Sequence, residues 1–115
     1  MKKTDKKIDN HIRRILTDVC EASLKDIDGF AWLTHTVNYA KFPQSLKVIC
    51  VFETLEGLTT FLGSEQHNLL NIRVRSELTT LHISLKPNAK MLIYDTEEIC
   101  ERDHQGNWAK RLATL

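Results

Sequence analysis

The chain has 115 residues, 16 lysines and arginines against 15 aspartates and glutamates, and a formal net charge of +1. That length suits one domain with a self-sufficient core, its ordinary apolar and charged content argues against wholesale disorder, and near-neutrality argues against a chain that is basic throughout to hold nucleic acid. Three scattered cysteines, Cys20, Cys50 and Cys100, with no secretory signal and no apolar run of membrane length, predict a soluble cytoplasmic protein with free thiols.

Residues 5–24 carry Ile8, Ile12, Ile15 and Val19 at helical spacing, a stripe widened by Leu16, Cys20 and Leu24, and predict an amphipathic helix. Thr4 or Asp5 is expected to cap it, with Asp9 near the positive end of its dipole and Arg13 and Arg14 facing water. Gly29 marks a turn. Residues 30–39, with Phe30, Trp32, Leu33, Val37 and Tyr39, read as a first strand, and Pro43 sits in the connection that follows. In residues 45–54, Leu46, Val48, Cys50 and Phe52 alternate with Lys47, Ile49, Val51 and Glu53. One face is wholly apolar and the other is apolar in its middle, the pattern of a central strand. Residues 37–52 therefore predict an antiparallel hairpin with a loop of several residues.

After Thr54 the period lengthens. Leu55, Leu58, Phe61 and Leu62 suit a short helix, capped by Thr54 and ended by Gly63. Ser64 is expected to cap a second helix that buries Leu69, Leu70, Ile72, Val74, Leu78 and Leu81. Alternation of Leu81, Ile83 and Leu85 with His82 and Ser84, a turn at residues 86–88 and an apolar run at 90–94 give one or two further strands. From about residue 96 the chain reads as a polar tail, broken at Gly106 and anchored by Trp108 and Leu112. The fold class is α+β: N-terminal amphipathic helix, antiparallel β-hairpin, broken helix pair and one or two C-terminal strands. The expected arrangement is a single domain over residues 1–115, its antiparallel sheet covered by helices on one face.

This element order resembles the second topological type of the KH nucleic-acid-binding domain, whose two paired helices flank a Gly-x-x-Gly loop that approaches the phosphate backbone. The corresponding turn here is Gly63-Ser64-Glu65-Gln66, without the second glycine and with an acid, so the resemblance is one of element order. KKTDKKIDN at 2–10, WLTHTVNYAKFPQSLKVICVFET at 32–54, DTEE at 95–98 and NWAKRL at 107–112 are similar to small proteobacterial proteins grouped as Fis-family transcriptional regulators. That likeness implies a transcription regulator. A Fis-type protein ends in a helix-turn-helix with a basic recognition helix, whereas the C-terminal region here is acidic and interrupted by Gly106.

Candidate chemistry is sparse. Cys100 and His104 lie four apart among Glu97, Glu98, Glu101 and Asp103, with His82 to be brought in by folding; zinc calls for more ligands than this, so no metal and no cofactor is expected. A Cys50–His35 pairing across the hairpin is weighed against a buried, inert thiol, and the inert thiol is expected; with no Gly-x-Ser-x-Gly, phosphate loop or dinucleotide fingerprint present, the protein is expected not to be an enzyme. Lys2, Lys3, Lys6, Lys7, Arg13 and Arg14 form a basic head able to meet several phosphates, although Asp5 and Asp9 interrupt it. Tyr39, Lys41 and Phe42 at the hairpin loop complete the candidate nucleic-acid-binding set. Asp95, Glu97, Glu98 and Trp108 are candidate partner-binding residues: the basic head of one copy would meet the acidic segment of another. For Trp108, docking within its own chain is the default. The expectation is a non-enzymatic binding or regulatory module associated with nucleic acid, with a protein–protein adaptor or homodimer as the alternative and a metal-dependent enzyme third.

Overall fold

The apolar stripe of the first segment winds into α1, Lys3–Asp26, in a computed structural model that describes residues 2–81 and 91–115. Ile12, Leu16 and Val19 are its buried line. No side chain caps the helix: its N-cap is Lys2, and Thr4 and Asp5 fall inside the first turn. Leu24, expected on the stripe, is exposed because the line passes through Ser23 instead. Gly29, at φ 80°, makes the turn into β1, Phe30–Thr36, in a left-handed conformation that side chains rarely adopt.

β1 stops at Thr36, three residues short of the expected end, because Asn38 starts a 3₁₀ turn over Tyr39–Lys41 by accepting from the Ala40 N–H at 3.0 Å. A cis Phe42–Pro43 bond follows. β2, Lys47–Phe52, then pairs antiparallel with β1, Trp32 opposite Val51 and Thr34 opposite Ile49, with a register shift between Phe30 and Trp32. This is the expected hairpin.

Thr54 caps α2, Leu55–Leu62, by accepting from the Gly57 N–H at 3.0 Å, and Gly63 ends it. α3 is Glu65–Thr79. Ser64 stands at its N-cap without capping it; the hydroxyl donates back to the Phe61 carbonyl instead. α3 buries the narrow line Leu70, Val74 and Leu78, and it leaves Leu69 56% and Ile72 63% exposed, against the wider stripe expected. The expected strand over 81–85 and the turn at 86–88 lie outside the described residues, Leu81 excepted.

β3, Leu92–Thr96, joins β2 in parallel, Ile49 beside Ile93 and Val51 beside Asp95. The sheet order is β1-β2-β3. The sheet is therefore mixed, not antiparallel as expected, since two intervening helices carry the chain back before the last strand begins. Val48, Cys50 and Phe52 face a core built with α1, α2 and α3. Ile49 and Val51, on the opposite side of β2, are equally buried. What covers them is the C-terminal segment, α4 (Glu97–His104) and α5 (Trp108–Leu112), whose Trp108 meets Trp32 and whose Arg111 meets Asp95. Residues past 96 are thus two short docked helices, where a polar tail was expected, and the sheet is covered on both faces.

Candidate nucleic-acid interface

Eleven residues make just over three turns of an α-helix, so Lys2, Lys6 and Arg13 fall close to one line along α1, while Lys3, Lys7 and Arg14 point more directly outward. All six are exposed, and among the described residues Lys2, Lys3, Lys6, Lys7 and Arg14 have no ion-pair partner. The line through Lys2, Lys6 and Arg13 runs on the flank of α1 that faces β1 and the hairpin loop.

Asp9 is what joins that flank to the loop. It occupies the apolar stripe one turn before Ile12 and is buried. Its Oδ2 accepts from Arg13 Nε at 2.7 Å, and its Oδ1 accepts from the Tyr39 hydroxyl at 2.7 Å and meets His35 Nε2 at 3.0 Å. Hydrogen bonds from Arg13, then Tyr39, then His35 hold the carboxyl well below the usual carboxylate range against the opposing effect of burial. Burial, and then the adjacent carboxylate, push the Tyr39 phenol up, so it stays protonated and donates. Phe42 lies against Tyr39 with ring centroids 5.5 Å apart and planes at 35°, and Lys41 between them is exposed. Arg13, Tyr39 and Phe42 are therefore gathered at one end of the hairpin, with Lys41 in the same loop and Lys2 and Lys6 on the turns of α1 that precede Asp9.

The acidic candidates are placed differently. Asp95 lies in the fold's own packing, its two oxygens taken by Arg111 Nε at 2.5 Å and Nη2 at 2.9 Å. Glu97 bridges two indoles, accepting from Trp32 Nε1 at 2.5 Å and Trp108 Nε1 at 3.0 Å, and the two rings meet edge to face at 4.8 Å. Docking of Trp108 within its own chain is as expected. Glu98 is the one exposed member of the partner-binding set, and its Oε1 accepts from the Leu55 N–H at 3.3 Å. The last helix has five residues, and its Arg111 is turned inward onto Asp95.

Cys50 and His35 do not pair. Cys50 stands opposite Leu33 and is fully buried, with burial pushing its thiol up to about 12, while His35 turns to Asp9. Cys100, although acids surround it in sequence, is fully buried too. Among the described residues no group of three or more His, Cys, Asp or Glu side chains is placed to hold a metal ion. Asp9 is the site residue that sequence reasoning missed as a centre. The available signal was its position: an aspartate on the line of Ile12, Leu16 and Val19 must find donors to be buried there.

Among the described residues no helix is long and apolar enough to cross a membrane. Comparisons with protein-family models, with curated proteins and with solved structures return no match to this chain.

Proposed function

We propose that the protein is a small binding module for nucleic acid, of the regulatory kind, which meets its strand with the basic flank of α1 and the Tyr39–Phe42 end of the hairpin. The observation that carries this reading is the Asp9 junction. It fixes an aromatic pair beside a line of cations, several of which have no ion-pair partner among the described residues. Lysines without partners gain most from phosphates, because each contact releases counterions. A ring held at its hydroxyl offers a ready stacking surface at little further entropic cost. The order helix, strand, strand, helix, helix, strand, followed here by two more helices, is the order on which the resemblance to a KH domain rests. The Gly63-Ser64-Glu65-Gln66 turn has no part in the contact proposed.

The test is fluorescence anisotropy of labelled single strands and duplexes. With about four phosphate contacts, affinity for a single strand falls roughly fiftyfold between about 50 and 200 mM salt. Replacing Lys2, Lys3, Lys6 and Lys7 together by glutamine flattens that dependence. Affinity that is indifferent to salt, or equal in the quadruple variant, refutes the proposal.

A further inference from the structure

Between α1 and β1 lies an open cavity of about 410 Å³, reached from the same flank. Leu16 and Leu33 give it apolar walls, and Arg13 and Glu21 stand at its two ends on α1. Eight residues of helix separate those two, about 12 Å of rise; Arg13 leans one turn back to Asp9 and helical side chains lean that way in general, so the two heads stay about that far apart, roughly a fused ring system with one hydrogen bond at each side. Arg13 spends only Nε on Asp9; among the described residues its two terminal nitrogens have no partner. Glu21 has no hydrogen-bond or ion-pair partner among them either. His35, whose side chain is 9% exposed, lines the cavity and uses one ring nitrogen on Asp9, leaving the other unpartnered among the described residues.

The charge balance selects the ligand. Asp9 already offsets Arg13, and Glu21 adds a negative charge, so the cavity has no surplus of positive charge with which to hold a phosphate. A neutral planar ring with donors on one edge and acceptors on another suits it. We infer that this cavity takes one unpaired guanine base of the bound strand, Glu21 accepting from its N1–H and exocyclic amine and Arg13 donating to its O6 and N7. The inference rests on the reading of α1 as a strand-binding flank. Guanine matches both ends: guanidinium groups pair with O6 and N7, and a carboxylate finds two adjacent donors on the base-pairing edge. Adenine presents an acceptor at N1, which Glu21 repels. A duplex hides that edge, so the base must come from a single strand.

The experiment compares labelled oligothymidylate with strands of equal length carrying one central guanine or one central adenine, on the full chain at low salt. The guanine strand binds about tenfold tighter than the other two, the worth of one good two-point base contact. Glu21→Ala, a change at an exposed helix position, removes that preference while oligothymidylate affinity does not fall. Equal affinity for all three strands within twofold overturns the guanine site and leaves the basic flank standing, as does a preference that survives Glu21→Ala. Free guanosine, followed by chemical-shift changes at Thr34 and His35, supplies the separate arm. If no strand binds but guanosine shifts those signals, the cavity stands and the strand-binding flank falls. If neither strand nor guanosine binds, both fall.

Discussion

Replacing Arg111 by methionine removes the only cation that meets Asp95 among the described residues. The carboxylate is 3% exposed and the guanidinium 15% exposed, and two hydrogen bonds of 2.5 and 2.9 Å join them. Without them, Asp95 keeps a single donor among the described residues, the Thr96 N–H at 2.8 Å, for a charge that water scarcely reaches. Breaking a buried pair on one side costs about 3–5 kcal/mol, because it strands the other charge. The partial exposure of Arg111 lets some water in, which places the expected loss near the lower end, about 3 kcal/mol. With a urea dependence of about 1.5 kcal/mol per molar, the unfolding midpoint falls by about 2 M. The companion Asp95→Asn/Arg111→Met variant removes both charges and regains most of that loss, leaving a coupling energy of about 2 kcal/mol in the double-mutant cycle. Far-UV circular dichroism follows the unfolding, and tryptophan fluorescence reports the Trp32–Trp108 contact beside it. A loss below about 1 kcal/mol for Arg111→Met, the worth of an exposed pair, refutes the reasoning.

Asp9→Asn keeps the shape of the junction and removes its charge, costing about 2 kcal/mol at neutral pH through weaker bonds to Arg13, Tyr39 and His35. The folded carboxyl is held below its unfolded value, so the wild-type advantage is complete above the unfolded range near pH 4 and shrinks as pH falls further; a variant-to-wild-type difference that stays constant from pH 6 to about 3 contradicts the assignment. Trp108→Ala exposes Ile49 and Val51 and frees a Glu97 oxygen, lowering stability by about 3 kcal/mol and the near-ultraviolet dichroism of Trp32 with it; unchanged near-ultraviolet signal counts against the indole contact. Thiol titration of the native protein near neutral pH modifies Cys20 and spares Cys50 and Cys100, whose thiols burial pushes up, and all three react once guanidinium unfolds the chain; rapid native labelling of Cys50 contradicts its burial.

What could be seen beforehand followed local periodicity. The stripe of Ile12, Leu16 and Val19 and the alternation of Val48, Cys50 and Phe52 each needed only a neighbouring element to be satisfied, so helix and central strand were legible. The two-sided burial of β2 was half visible: Ile49 and Val51 demanded a second cover, but the cover comes from residues 97–112, whose polar composition conceals it. That segment brings a single indole, Trp108, whose partner Trp32 lies 76 residues earlier in β1, and one glutamate holds both. The direction of β3 was not legible, since parallel and antiparallel neighbours differ in the route of the connection and not in the strand's own pattern. At the candidate interface the cations and the aromatic pair were each visible. The residue that joins them was read as a charge interrupting the head, because a helical aspartate reads as solvated until partners from β1 and the loop arrive.

The parallel seating of β3 has a consequence for how the chain is made. The middle strand of the sheet is complete by Phe52, yet its second neighbour emerges only after both crossover helices, at Leu92. During synthesis the nascent polypeptide therefore presents an apolar ribbon with one row of peptide groups unmet and one face bare. A fragment ending before Leu92 leaves that ribbon adhesive, so truncation from the C-terminal side should yield more aggregated material than the whole chain does.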